Sequence, residues 1–440
     1  MFTSSRPAWL RGRRSQVFYI VIAFSIIVVS FFIFTSGFHP SLLPTKLRPE
    51  PIISEPFTDS NMKWRFDPTK DSRNLGLSDE QCNIAFPKLY TELDRIRDHL
   101  GPNSLTRDRI RINRQTKPFP HGQFHILIFN GQIYIIDEFK GACDRARGLA
   151  GLSNLYRAIT AMPDPTTIPD VEFIMDVEDA PTEDMPDDRI VWTWNRPIGN
   201  LNTWVIPNFY GWASPRSFIG SYVSFRERLP LVERPFKDKD RRIVWRGSMN
   251  NEVRFALINA TTGKEWADVQ ETTAQNSMHV SELCKYQFLA HTEGNTWSGR
   301  LRYLVNCNSI SVIHQPLKYQ AHFYDMLVSQ GPDQNYISVA NDWSDLAEKM
   351  EFYSRNPSVA ERIANNSVNT FRDRYMTPAA EACYWRRLIR NYADTLAFKP
   401  EVYTKSEDQN DSGVRKYRGV DWELVAVPDP NFRYSYTEEG

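Results

Sequence analysis

Apolar and polar positions along the 440 residues change their period several times, and each change predicts an element. The first is an unbroken apolar run at residues 17–35, whose polar members are Ser25, Ser30 and the terminal Thr35. As a helix rising ~1.5 Å per residue, the run spans roughly 28 Å, about the hydrocarbon thickness of a bilayer. Arg6, Arg11, Arg13 and Arg14 precede it, and no Lys or Arg follows until Lys46. That asymmetry predicts one transmembrane signal-anchor at 17–35, with a cytosolic tail at 1–16 and the remainder lumenal. The run is longer than a signal-peptide core, and residues 36–40 make a poor cleavage site. Pro40, Pro44, Pro49, Pro51 and Pro56 then defeat helix and predict an extended stem over 36–75.

A folded body is predicted over 76–400. Ser78-Asp79-Glu80-Gln81 is a capping-box pattern, and Leu89, Leu93, Ile96 and Leu100 continue at helical spacing until Gly101-Pro102. Residues 124–129 and 132–136 flank Asn130-Gly131, a strong hairpin signal. Strands are predicted at 171–175, running into the acidic loop Asp176-Val177-Glu178-Asp179-Ala180-Pro181, and at 190–194. Residues 243–245 read as a strand opening into Arg246-Gly247-Ser248 and then a helix through Arg254 and Leu257. Helices are predicted at 280–288 and 300–305, and strands at 309–314 and 336–340 with a helical segment between them. Further helices follow at 344–353 and after the Asn356-Pro357 and Thr377-Pro378 starts. This alternation predicts an α/β chain with two Rossmann-type lobes, about 110–235 and about 236–375 with closing helices, and a cleft between them. Residues 401–440 read as a polar, loosely held tail.

Composition narrows the function. Lys plus Arg and Asp plus Glu both number 53, so the basic footprint of a nucleic-acid binder is missing. Five cysteines (Cys82, Cys143, Cys284, Cys307 and Cys383) in a lumenal chain predict two disulfides and one leftover thiol, and spacing alone does not assign the pairs. The absence of a C-x-x-C pair argues against structural zinc. Sequons at Asn259, Asn365 and Asn410 agree with lumenal exposure. Anchor, stem and two lobes form the layout of a type II, GT-B-like glycosyltransferase, by analogy at the level of fold.

Three segments carry candidate chemistry. An enzyme using a nucleotide-sugar must stabilise a departing diphosphate, with a metal ion or with cations and a helix start. Residues 294–302, containing Asn295, Thr296, Trp297, Ser298, Gly299 and Arg300, form a glycine-bearing loop feeding a helix, and suit the second solution; Arg300 and Arg302 as surface cations are the alternative. Trp245-Arg246-Gly247-Ser248, with Arg254 beyond, is a strand end and turn where nucleotides sit in parallel sheets; a tight turn with a salt bridge is the alternative. Transfer to a hydroxyl also needs a base, and Asp179 lies just past a strand end. A metal set of Asp176, Glu178, Asp179 and Asp184 competes with that reading, although no D-x-D is present.

Taken in order, these motifs resemble glycosyltransferase family 90, which contains fungal capsule-associated glycosyltransferases and animal protein O-glucosyltransferases. The resemblance covers roughly residues 120–395. It is strongest at Cys284-Lys285-Tyr286-Gln287-Phe288-Leu289-Ala290 through Gly294, Ser298-Gly299-Arg300, Leu304, Cys307 and Ser309-Ile310-Ser311-Val312. Phe323-Tyr324, Tyr336-Ile337-Ser338-Val339 and Cys383-Tyr384-Trp385 continue it, and the 176–181 and 245–248 segments look like two further motifs. The resemblance implies an inverting, metal-independent GT-B enzyme with a UDP-sugar as co-substrate and no cofactor. Asp179 matches the base; Arg246, Gly247, Ser248, Arg254 and residues 295–300 match the donor-binding segments. It also implies a Cys284–Cys307 disulfide and a Cys82–Cys383 partner pair, leaving Cys143 free.

Departures concern the acceptor. Family O-glucosyltransferases are typically soluble residents with a retrieval signal, whereas this sequence carries the apolar run and ends Tyr436-Thr437-Glu438-Glu439-Gly440. Residues 207–212, with Phe209 and Trp212, only loosely resemble their tryptophan-rich acceptor loop. Both differences favour the fungal branch, which includes xylosyltransferases. The expected protein is a single-pass type II enzyme of Golgi or endoplasmic reticulum membranes, moving glucose or xylose from a UDP-sugar to a glycan or glycoprotein hydroxyl. A catalytically silent carbohydrate-binding protein, or an O-glucosyltransferase acting on folded domains, is the alternative.

Overall fold

The computed structural model describes residues 64–114, 122–139, 144–179, 188–214, 219–404 and 417–427. Residues 1–63, Cys143, Asp184 and the Asn410 sequon lie outside the described residues. Helix α1 (Asp79–Ala85) begins on the predicted capping box: Ser78 Oγ accepts from Gln81 N at 3.2 Å, and Gln81 Oε1 accepts from Ser78 N at 2.9 Å. It stops before Pro87, so the apolar spacing resumes in a separate α2 (Thr91–Leu100) instead of one long helix.

The hairpin forms as predicted from β1 (Gln123–Phe129) and β2 (Gln132–Phe139). Asn130 and Gly131 both take positive φ, 49° and 73°, the conformation that a two-residue turn between twisted strands requires. After α3 (Asp144–Thr160) the chain enters β3 (Val171–Asp176), β4 (Val191–Thr193), β5 (Arg196–Pro197) and β6 (Thr203–Val205). The second lobe holds α4 (Tyr222–Val232), β7 (Asp240–Gly247), α5 (Glu252–Thr261), β8 (Ala267–Glu271), β9 (Tyr286–His291), β10 (Ile310–Gln315), β11 (Tyr319–Gln320), β12 (Ile337–Ala340), α6 (Leu346–Arg355) and α7 (Pro357–Ser367). The long α8 (Pro378–Ala393) then packs against α1, α2, α3 and β3, and β13 (Val420–Asp421) and α9 (Trp422–Ala426) follow.

Among the described residues the two main sheets differ in kind. The first runs β13-β2-β1-β3-β4-β6; β1 pairs antiparallel with both β2 and β3, while β3, β4 and β6 are parallel. The second, β12-β10-β9-β7-β8, is wholly parallel. The expectation of two Rossmann-type lobes is therefore corrected: a tight hairpin cannot join parallel neighbours, so the first lobe is a mixed sheet, and only the second is doubly wound. The transmembrane helix is a second correction. Among the described residues no helix is long and apolar enough to cross a membrane, so the fold class omits it. The type II placement in Golgi or endoplasmic reticulum membranes built upon that helix is withdrawn with it.

Local readings also shift. Residues 280–285 form a 3₁₀ turn and 286–291 a buried central strand, where a helix over 280–288 was expected. Between β10 and β12 lie β11 and a 3₁₀ turn at Tyr324–Met326, not an α-helix. β11 pairs with β5, tying the second lobe to the first.

Helix α8 is held to α1 by a disulfide and reaches both lobes through polar contacts. Cys383 is bonded to Cys82 on α1, and Cys284 to Cys307, the pairing the resemblance implies. Glu381 on α8 lies 2.5 Å from Arg302, both side chains being fully buried, while Tyr384 donates to Val205 O at 2.7 Å. The expected loose tail returns to the body: Trp422 and Val425 are buried, and Val420 pairs with Ile135.

Arg418 from that segment joins a buried cluster around Glu172 on β3, with His125 at 2.9 Å, Arg107 at 3.0 Å and Arg418 at 2.8 Å. Burial works against the Glu172 charge, but hydrogen bonds and charges from His125 and Arg418 overcome it and hold the carboxyl down at about 2. A drop from the ordinary 4.5 is worth on the order of 3 kcal/mol, present above the unfolded value and lost as pH falls towards the folded one. Glu172→Gln should therefore lower the thermal midpoint at pH 7 and flatten its fall between pH 5 and 2, read by circular dichroism.

Candidate functional site

The strand order of the second sheet reverses between β7 and β9, so loops leaving their carboxyl ends diverge and open a crevice. Ser248 follows β7, and the Gly294 loop follows β9. Trp245 on β7 is buried in the core of this lobe, and a Cβ on Gly247 would meet its ring at 2.5 Å, so that position has to be bare. The Arg254 and Arg300 guanidinium carbons each lie 5.7 Å from the centre of that ring.

Arg254 reaches this place because Asn251 caps α5, its Oδ1 accepting from Arg254 N at 3.1 Å. The Arg254 Nε donates to Thr292 Oγ1 at 3.1 Å and Glu293 O at 3.0 Å, and Nη1 to Ser248 O at 2.8 Å. Asn251 Nδ2 braces the same loop through Glu293 O at 2.9 Å and Gly294 O at 2.6 Å. A Cβ on Gly294 would stand 3.0 Å from Arg254 Nη2, so glycine lets the guanidinium lie against the loop.

Neither arginine has a carboxylate within ion-pair distance among the described residues. Burial lowers the proton affinity of Arg254, and burial followed by the Arg254 charge pushes Arg300 down to about 10. Two neighbouring cations held without a counter-ion form a site for an anion. The expected helix contributes little. It is one turn, Leu301–Leu304, so the guanidinium groups supply the positive charge. Arg302, whose alternative reading was a surface cation, is the buried partner of Glu381.

The opposite wall comes from the first lobe. Asp176 ends β3 buried, its carboxylate accepting from Gln123 Nε2 at 2.5 Å and Glu178 N at 3.0 Å. Burial raises the Glu178 carboxyl above its ordinary range. Asp179 is the loop carboxylate that reaches the crevice: its side chain is 54% exposed, and Oδ1 lies 3.0 Å from Arg147 Nη1. Its carbonyl oxygen accepts from Thr296 Oγ1 at 2.7 Å and Asn195 Nδ2 at 3.0 Å.

The crevice measures about 340 Å³ and is lined by Asp179, Phe209, Arg246, Ser248, Arg254 and residues 294–300. The structure thus gathers Asp179, Ser248, Arg254 and the whole 295–300 loop. It separates others. Arg246 lies on the wall, but its guanidinium is taken by Asp268 Oδ1 at 2.7 Å and Asp268 O at 2.7 Å. Gly247 acts through Trp245. Trp212 stands outside the crevice, beneath Arg157 at 5.0 Å, so of the two expected acceptor residues only Phe209 is on the lining.

Arg147 and Tyr210 line the crevice without having been singled out. Arg147 has no motif around it, one cation on a helix looking like any other. Tyr210 sits within the 207–212 segment, and its ring lies where a Cβ on Gly299 would come within 2.3 Å, a packing that only the folded chain shows.

Similarity to known proteins agrees with this geometry. The chain is 27% identical to human protein O-glucosyltransferase 1 (Homo sapiens) over 197 residues, covering 41% of this chain and 49% of that protein. It is 25% identical to the O-glucosyltransferase rumi of Drosophila melanogaster over 285 residues, 56% of this chain and 65% of that one. With protein O-glucosyltransferase 3 of Rattus norvegicus it shares 31% identity over 125 residues, 28% of this chain and 24% of that protein. The chain spans about half the length of the O-glucosyltransferase 1 relatives it matches. Residues 78–423, which contain both crevice walls and both disulfides, match the family model for glycosyl transferase family 90, and the chain belongs to that family.

Proposed function

We propose that this protein transfers glucose from UDP-glucose to a hydroxyl of a glycan or glycoprotein, in a single inverting displacement without a metal ion. The observation that carries the proposal is one crevice with Asp179 on one wall and, on the other, the cations Arg254 and Arg300, which have no carboxylate partner among the described residues. The acceptor hydroxyl loses its proton to Asp179 as its oxygen bonds to the anomeric carbon. The bond from that carbon to the diphosphate oxygen breaks, and UDP leaves carrying charge that the two guanidinium groups receive. The relatives' names, O-glucosyltransferases, support glucose as the sugar and a protein-linked hydroxyl as acceptor.

The test is UDP release from UDP-glucose by the purified chain, with and without EDTA. Release that persists in chelator is the expected result. Loss of release in EDTA would overturn metal independence, and thermal stabilisation by UDP without turnover of any UDP-sugar would identify a silent binding protein.

A further inference from the structure

Thr296 belongs to the loop that faces the donor, yet its side chain turns to the other lobe. Thr296 is buried, and its hydroxyl donates to the main-chain carbonyl of Asp179 at 2.7 Å. Asn195, also buried, donates to the same carbonyl at 3.0 Å. The loop around Thr296 is stiff: Gly294 N donates to Thr296 O at 2.8 Å, and Asn251 and Arg254 hold the carbonyls of Glu293 and Gly294. The carboxylate of Asp179, by contrast, is half exposed and has Arg147 beside it. The base is therefore held from behind, through its own peptide carbonyl, by Thr296 of the donor loop together with Asn195 of its own lobe.

We infer that Thr296 is a positioning residue for Asp179, coupling the donor loop of one lobe to the base of the other, and not a ligand of the donor. The inference rests on the proposed transfer reaction and assigns one of its parts. Its hydroxyl hydrogen is already committed to the Asp179 carbonyl, so removing the hydroxyl releases the base without uncovering a donor contact. Misplacing a reacting group by about 1 Å can cost ~10²-fold, and here one of two carbonyl bonds is lost, so Thr296→Val is expected to lower kcat about tenfold with UDP affinity kept within about twofold.

The experiment measures UDP affinity by calorimetry, kcat and KM for UDP-glucose, and Tm on the full chain, for the unaltered protein, Thr296→Val and Thr296→Ser. Serine restores the hydroxyl and is expected to restore kcat, which a role in packing the threonine methyl would not do. Thr296→Ala repeats the test where valine disturbs the fold. Weakened UDP binding with kcat retained would make Thr296 a donor ligand and overturn the inference. So would unchanged kcat in an active protein, or a fall that serine does not restore. If the unaltered chain binds UDP-glucose but never turns it over, the transfer reading itself fails and this assignment falls with it.

Discussion

Replacing Asp179 by Asn lowers sugar transfer by about 10²–10⁴-fold, the usual worth of a positioned general base, while UDP affinity and Tm stay near their original values. The amide keeps the shape of the carboxylate, and its oxygen can still accept from Arg147, which lies 3.0 Å from Oδ1. What it loses is the ability to take a proton from the acceptor hydroxyl. Stability changes little because the Asp179 side chain of the Arg147–Asp179 pair is half exposed, and pairs open to solvent contribute about 0–1 kcal/mol. Donor affinity is expected to be preserved because Arg254 and Arg300, the proposed diphosphate cations, sit on the other lobe. Steady-state transfer rates beside calorimetric UDP titration check both halves of the expectation. Full activity in Asp179→Asn would overturn the assignment of Asp179 as the base.

The residues readable in advance were those whose reason for being there is local. Ser78 and Gln81 satisfy one helix end between them, and Asn130-Gly131 turns a chain within two residues; both patterns exist in the sequence before anything packs. Residues 280–291 show the opposite case. A strand buried on both faces lacks the alternation of a half-buried one, so Tyr286–His291 carries no strand period, and its first residues, 286–288, read as the end of a helix. Antiparallel pairing of β1 with β3 is likewise a decision between segments about fifty residues apart, and no local signal encodes it. At the site, Asp179, Arg254 and Arg300 stood out because several motifs fell in the family's order. Arg147 and the Thr296–Asp179 bond did not, since each depends on lobes meeting. Arg302 is the clearest failure of local reading: its partner Glu381 lies on α8, and only tertiary packing distinguishes it from Arg300 two residues away.

That difference between neighbours gives the sharpest contrast in the molecule. Arg300→Met is expected to cut transfer by about 10²–10³-fold, as loss of one electrostatic stabiliser does, and to abolish most of the stabilisation that UDP confers, without lowering Tm in the absence of UDP. The guanidinium of Arg300 lies over Trp245 with Arg254 beside it, no carboxylate partner among the described residues, and a proton affinity pushed down to about 10 by burial and by that neighbour. In the empty protein its charge is a cost that a bound diphosphate repays, so methionine, which keeps an apolar stem on the indole, removes the cost along with the ligand. Arg302→Met does the reverse. It takes from the fully buried Glu381 carboxylate its nearest cation, leaving Arg157 at 3.7 Å and Asn154 at 3.4 Å, and breaking one side of a buried pair destabilises by about 3–5 kcal/mol. Thermal melts of both variants, each with and without saturating UDP, separate the two roles. A large fall in the Tm of Arg300→Met, with its UDP-induced shift intact, would show that the Arg254–Arg300 pair serves the fold and not the leaving diphosphate.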